Sequence, residues 1–471
     1  MSGSRRGIRI FAIIWAAITI LMGAGTFIAI YFVYGLVNEP RNITTASNAA
    51  LPLPQAMQPA SVAQPVATAA PAWPTLPPTS VAPAIVVAGP DEQRPPPTPL
   101  PVSDRSFRPG IQVQVSPDLN PDNQETWMRE VANKLRLRWY KQQVRWEHIE
   151  AEQNRLDWAA LDLSLPLAAE YNLNVMLSIV TAPAWARDQN VDHDRHGPPA
   201  RNEDYVDFVT SIVSRYPGMV HAIEVWNEQN LDREWTAPRG LIAADYIDLL
   251  RDTTLAVKAL DPGIIIISGA LAPTGGWTEP DGRISAIDDF VYFDSMVNAG
   301  LLNYADCIGA HHNGYNIGPD VPWNEVANDP YATFRGPFDN LHHSWSFYST
   351  LRTYADKIKL AGGDQPLCVT EFGWASTEGL DGHPPGFEFA NDNTPEEQSR
   401  WTIQALDLMK EWGDIWLAFI WNFNYGPQAG WDPNNDNVPY SIIGKDWVFR
   451  PLYDDIGAWQ LERRLESADS G

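Results

Sequence analysis

Ala222-Ile223-Glu224-Val225-Trp226-Asn227-Glu228-Gln229-Asn230 reads as a short buried strand that ends abruptly in an amide and a carboxylate. Ala222, Ile223 and Val225 suit a buried strand, and the polar run 227–230 suits the loop after it. A second stretch, Pro366-Leu367-Cys368-Val369-Thr370-Glu371-Phe372-Gly373-Trp374, has the same form: apolar strand, then Glu, then Gly and Trp. If both strands belong to one sheet, they deliver two carboxylates to one rim.

Outward from these two stretches the pattern is strand, loop, helix, repeated. Strand-like runs fall at 110–115, 139–144, 174–180, 222–225, 264–268, 305–310, 366–369 and 415–421. Helical periodicity falls between them, at 158–171, 205–216, 243–260, 345–360 and 398–412. Thr394-Pro395-Glu396-Glu397 supports one boundary, with a hydroxyl cap, Pro in the first turn and Glu at the third position. Strands alternating with helices favour a parallel sheet, and eight repeats predict an α/β fold closed as a (β/α)8 barrel. A doubly wound open sheet is the alternative, but no glycine-rich phosphate loop follows any strand. On a barrel the loops after every strand share one face, so the separation of Glu228 from Glu371 (371 − 228 = 143 residues) is no obstacle to their meeting. Two carboxyl groups at one mouth are the minimum equipment for cleaving a glycosidic bond.

The chain has 471 residues and a formal charge of −25, which argues against a nucleic-acid partner. Twenty Trp exceed what core packing usually needs, and large flat rings suit stacking on sugars. The two cysteines, Cys307 and Cys368, supply no disulfide framework and read as buried apolar filler on neighbouring strands. Residues 10–37 hold no charged side chain and are long enough to span a bilayer, with Arg5, Arg6 and Arg9 before them. The positive-inside tendency makes 1–9 a cytoplasmic tail and places the chain beyond the span outside the membrane. A cleavable signal peptide is the rival reading, but the apolar run is too long and no clear Ala-x-Ala site closes it. Residues 38–103, with Leu51-Pro52-Leu53-Pro54 and Arg94-Pro95-Pro96-Pro97, read as a disordered Pro/Ala-rich stalk. The catalytic-type domain is then 104–464, with 465–471 a tail.

The residues also carry a resemblance. Trp226-Asn227-Glu228 on the fourth strand and Thr370-Glu371-Phe372-Gly373-Trp374 on the seventh resemble clan A glycoside hydrolases. Trp146-Glu147-His148-Ile149-Glu150, followed by Leu156-Asp157-Trp158 and Leu161-Asp162, is similar to the second-strand region of family 39 and related cellulase-like barrels. Ala182-Pro183-Ala184-Trp185-Ala186 resembles their third loop, and Trp421 stands where they place a sugar-stacking Trp on strand eight. The likeness covers about 111–459 and departs at two points. Asn313 stands where a His-x-Tyr tyrosine is expected after His311, leaving that role to Tyr315 or to no residue, and Gln229 replaces the Pro that commonly follows the acid/base.

The resemblance implies a retaining glycosidase acting on β-linked oligo- or polysaccharides outside the membrane, with Glu228 as acid/base and Glu371 as nucleophile. Asn227, His311, Tyr315, Trp374, Trp421, Trp185 and Lys141 are the expected substrate-binding residues. Glu224 shares a strand face with Trp226 and is expected to pair with Lys141 or Arg138 in a positioning role. No cofactor is required by this chemistry. His193, Asp194 and His196 invite a metal hypothesis, but their polar setting reads as a solvated loop and no metal is assigned. A transglycosidase shares the same covalent intermediate, and a carbohydrate-binding protein without turnover could keep the same barrel. Segments 272–288, 312–340 and 374–393 are the expected walls of the groove. Sugar identity, exo or endo action and oligomeric state are not legible in the sequence.

Overall fold

The structure, a computed structural model, describes residues 104–469. The expected cytoplasmic tail, anchor and stalk (1–103) lie outside the described residues. Among the described residues no helix is long and apolar enough to cross a membrane.

Eight strands form one parallel sheet: β1 Arg108–Gln112, β2 Trp139–Arg145, β3 Asn174–Val180, β4 Ala222–Val225, β5 Ile265–Ser268, β6 Ile308–Gly314, β7 Leu367–Trp374 and β8 Ile415–Ile420. Neighbours follow chain order from β1 to β5, and β1 pairs with β8, which continues through β7 to β6. Parallel bridges Ile267–Cys307 and Leu271–Ala310 join β5 to β6 and close the circle. The helices between them are α1 Pro121–Arg129, α2 Ala159–Glu170, α3 Asn202–Arg215, α4 Ala243–Leu260, α5 Asp289–Asn298, α6 Phe347–Leu360, α7 Pro395–Trp412 and α8 Pro451–Asp469. The expected (β/α)8 barrel is therefore present. Helices α1, α5 and α8 are additions to the periodicities read from sequence, and α8 runs into the segment read as a tail. The Thr394 capping box at the start of α7 is formed in both directions.

Strand alternation sorts the core into two layers. On β4, Ile223 and Val225 point outward to the large core beneath the helices, while Ala222 joins Trp139, Met176, Ile265, Ile267, Trp416, Leu417 and Phe419 inside the barrel. Further toward the C-terminal rim the inward positions turn polar, with fully buried Lys141, Ser178 and Glu224. The apolar plug thus lies beneath a charged floor, which places the chemistry at one end of the barrel.

One expectation is overturned here. Cys307 and Cys368 are joined by a disulfide with their Cα atoms 5.8 Å apart. Both belong to the interior cluster, where inward positions of adjacent strands in a closed barrel lie side by side.

Closure needs a glycine. At Gly309 on β6 a Cβ would sit 2.0 Å from the Ser268 carbonyl oxygen and 2.9 Å from the Ala270 nitrogen. Its N–H instead donates to Ser268 Oγ at 3.0 Å. Gly309→Ala is expected to destabilise the barrel by about 3 kcal/mol, the upper end of overpacking penalties, because the obstacle is backbone. Urea denaturation checks this, and an unchanged midpoint would exclude it.

Candidate active site

The end of β4 turns sharply. Trp226 has φ +74° and Glu228 φ +48°, left-handed values that side chains other than glycine adopt only when their surroundings enforce them. The enforcement is visible. Trp226 is buried with its Nε1 donating to Glu234 O at 3.1 Å, and the Glu228 N–H donates to Ala270 O at 2.8 Å. Gln229 Nε2 donates to Gly269 O at 2.8 Å, and Asn230 exchanges bonds with Ala272 through both ends of its amide. Gln229, noted from sequence as a departure, is thus a fastener that ties the β4 loop to the end of β5.

On β7 the pairing with β6 steps from Ala310–Val369 to His311–Glu371, so Thr370 is an extra residue in the ladder. A bulge of this kind re-aims side chains beside it. Both Thr370 and Glu371 reach the charged floor: Thr370 Oγ1 donates to Glu224 Oε1 at 2.6 Å, and Lys141 Nζ donates to Glu371 Oε1 at 2.8 Å. Lys141 also donates to Thr370 O at 3.1 Å and lies 3.9 Å from Glu224 Oε2. Its side chain is wholly buried, so the two carboxylates are its counter-ions. Of the two expected partners of Glu224 the structure contains Lys141, but Lys141 itself is wholly buried against Glu371 and Thr370 instead of binding substrate, and Trp226, expected on the same face as Glu224, lies in the helix-side core.

His311 links the two glutamates. Its Nδ1 is 3.2 Å from Glu228 Oε1 and its Nε2 is 3.8 Å from Glu371 Oε1. Burial pushes the Glu228 carboxyl above its ordinary value, against the opposing pull of His311 and Arg233. Burial disfavours the charged His311 ring, but the Glu371 charge and the Glu228 hydrogen bond outweigh it and the net direction is upward. Arg233, missed in the sequence, donates from Nη2 to Glu228 Oε2 at 3.4 Å. Its place five residues after Glu228 in a polar loop carries no signal until the loop folds back.

Asn227 is buried, and its Oδ1 has no hydrogen-bond partner among the described residues. Trp421 lies beside the pair, with Lys141 Nζ 5.4 Å from its ring centroid and Tyr425 packed at 5.2 Å. Tyr315 sits in an aromatic cluster with Trp345 and Phe389, at 4.7 and 4.9 Å. Burial and then the Glu228 charge raise its phenol, whereas burial and then the Glu371 charge raise that of Tyr425. Tyr425 is thus a phenol that feels Glu371, as Tyr440 also does, and its oxygen accepts from Gln112 Nε2 at 3.5 Å. It lies beyond β8, where sequence spacing from His311 gives no pointer.

Trp374 is corrected. It is 1% exposed, its Nε1 donates to Ile317 O at 2.9 Å, and its ring packs against Phe347 and Trp401 at 5.6 and 6.2 Å, so it fills the core instead of offering a platform. Trp185 is half-buried, donates from Nε1 to Glu150 O at 2.8 Å and meets Trp146 edge-on at 5.5 Å. His193, Asp194 and His196 are not brought together as ligands: His193 Nε2 lies 3.0 Å from Asp188 O, while His196 Nε2 is 2.7 Å from Arg145 Nη2.

In sequence no family model matches the chain, and no curated protein matches it. In structure it is similar to a family 39 glycoside hydrolase from the gut symbiont Bacteroides cellulosilyticus, with TM-score 0.54, 16% identity, and coverage of 76% of this chain and 64% of that one. The chain thus spans less than two thirds of that protein. It is also similar to the GH5_18 protein from Streptomyces cattleya in complex with GlcNAc, with TM-score 0.51, 14% identity, and coverage of 77% and 81%. A monomeric β-xylosidase from Caulobacter crescentus gives TM-score 0.50 at 15% identity, covering 76% and 68%. These likenesses establish the class of fold, the (β/α)8 barrel that these glycoside hydrolases also have.

Lys141→Met would leave Glu224 and Glu371 buried without their ammonium. A loss of about 3–5 kcal/mol is expected, as for other broken buried ion pairs, and Lys141→Met with Glu224→Gln should recover part of it. Denaturant titration of four proteins (wild type, Lys141→Met, Glu224→Gln and the double variant) measures both, and additive losses would refute the coupling.

Proposed function

We propose that the protein is a retaining glycosidase that cleaves β-linked oligo- or polysaccharides by double displacement. The observation that carries this reading is the contrast between two glutamates that meet at one imidazole. Glu228 is held toward its protonated form by burial, and Glu371 has the Lys141 ammonium at 2.8 Å as counter-ion. The barrel fold and the position of both groups on the C-terminal rim add support.

In the first step Glu371 attacks the anomeric carbon while the bond to the leaving oxygen breaks and takes the Glu228 proton. Lys141 holds Glu371 Oε1, which makes Oε2 the attacking atom. In the second step the Glu228 carboxylate removes a proton from water, whose oxygen displaces Glu371 from the sugar. His311 Nδ1 orients Glu228 Oε1 at 3.2 Å while its Nε2 faces Glu371 Oε1 at 3.8 Å, and the unpartnered Asn227 Oδ1 is suited to a sugar hydroxyl. Trp421 supplies the aromatic wall. An uncleaved anchor at 10–37 and a stalk would hold this domain outside the membrane, a reading that rests on the sequence alone.

A panel of aryl β-glycosides (xyloside, glucoside, mannoside and galactoside) tests the proposal. Glu371→Ala should lower kcat at least about 1,000-fold, and azide should restore turnover with a glycosyl azide of inverted configuration. Activity undiminished in Glu371→Ala would remove it from the nucleophile's role.

Arg233 provides a second test. Its cation opposes the burial that raises the Glu228 carboxyl, so Arg233→Met should raise that carboxyl further. The acid form then persists to higher pH, and the alkaline limb of kcat/KM should move upward. A limb that stays put or moves down would contradict the assignment of Glu228 as the acid.

A further inference from the structure

Away from the glutamate pair, two dipeptides distant in sequence come together: Asp288-Asp289 at the start of α5 and His342-His343 at the end of the loop after β6. His342 Nε2 lies 3.6 Å from Asp288 Oδ2, and the two histidine rings are 4.1 Å apart. One ligand atom from each of Asp288, His342 and His343 lies within 4.8 Å of the others. A contact of 3.6 Å is too long for a hydrogen bond. It is close to the edge of about 3.3 Å in a tetrahedron whose ligands stand about 2.0–2.1 Å from zinc.

The remaining nitrogen of each ring is already held. His342 Nδ1 accepts from the Ser344 N–H at 3.2 Å and lies 2.9 Å from Ser344 Oγ; a metal on Nε2 puts the proton on Nδ1, which then donates to that hydroxyl in place of the backbone bond. His343 Nε2 is 2.9 Å from Asp289 Oδ1. Asp289 is fully buried and is itself oriented by Thr274 N at 2.8 Å and the Tyr354 hydroxyl at 2.6 Å. Phe290 stacks on the His343 ring with centroids 3.5 Å apart and fixes its plane. A carboxylate behind one imidazole and a hydroxyl behind the other are the outer partners that metal-bound histidines use.

We propose that Asp288, His342 and His343 form a divalent transition-metal site suited to Zn²⁺, with water completing the shell. Two imidazoles and one carboxylate match this borderline cation better than Mg²⁺ or Ca²⁺, which take mainly oxygen ligands. The ion fastens the long wall loop to α5. The same loop reaches the barrel through Ser344 O, 3.2 Å from Nε2 of His312, the residue after His311. The metal therefore braces the strand that carries the imidazole between the glutamates, and the site itself is independent of the reaction assigned to them.

The test uses the untagged full chain, stripped with EDTA, dialysed against Zn²⁺ and analysed by elemental mass spectrometry with parallel thermal melts. One tightly held Zn²⁺ per chain and a Tm that rises with Zn²⁺ are expected. His342→Ala and, separately, Asp288→Asn should weaken retention by at least about tenfold, and their Tm should not rise with Zn²⁺. His193→Ala should retain the ion. Wild type that keeps no Zn²⁺, or a His342→Ala and an Asp288→Asn chain that keep as much as wild type, would overturn the site.

Discussion

A wholly buried ammonium, Lys141, sets the terms for this structure. An ion in the middle of a barrel is tolerable only when its opposite charges reach it, and here Glu371 stands at 2.8 Å and Glu224 at 3.9 Å. Those three residues come from β2, β7 and β4, so satisfying one charge fixes the relative height of three strands. A slip of one residue on any of them would turn a carboxylate or the ammonium into the apolar layer beneath the helices. The Thr370 bulge belongs to the same constraint, because it lets two consecutive residues of β7 serve the charged floor at once.

Above this floor the environment separates two chemically identical side chains. Glu371 lies against the cation, whereas Glu228 lies on a backbone turn held in left-handed geometry and is pushed by burial toward its neutral form. His311 touches both, so a change in the charge of either is felt by the other through one ring. The turn at Trp226 and Glu228 is stabilised from outside the site, by Trp226 in the helix-side core and by Gln229 and Asn230 on the end of β5. Rigidity of the pair therefore depends on packing that no substrate contacts.

Much of this was legible as pattern. The eight strand runs, five of the helices, the Thr394 cap and a basic partner for Glu224 follow from periodicity and from the need of a buried charge for a partner. Helix α5 was not read because its cap, Asp288, closes a Gly- and Pro-rich segment that looks like uninterrupted loop. Trp374 was misassigned because a tryptophan after a strand-end Glu looks the same whether its ring faces the mouth or the helices. The Cys307–Cys368 bond was not expected because neighbouring parallel strands seldom offer disulfide geometry, which the inward positions of this closed barrel do.

By itself, then, the sequence determined the repeating α/β architecture, the two strand-end glutamates and the need of Glu224 for a basic partner, with Lys141 and Arg138 both open, since these depend on local periodicity and on the energetics of burying charge. Only the tertiary structure decided that Arg233 folds back on Glu228, that Tyr425 packs on Trp421, and that Asp288 meets His342. Each of these is a contact between segments whose approach is set by loop paths and by a one-residue bulge, and such geometry leaves no period in the chain.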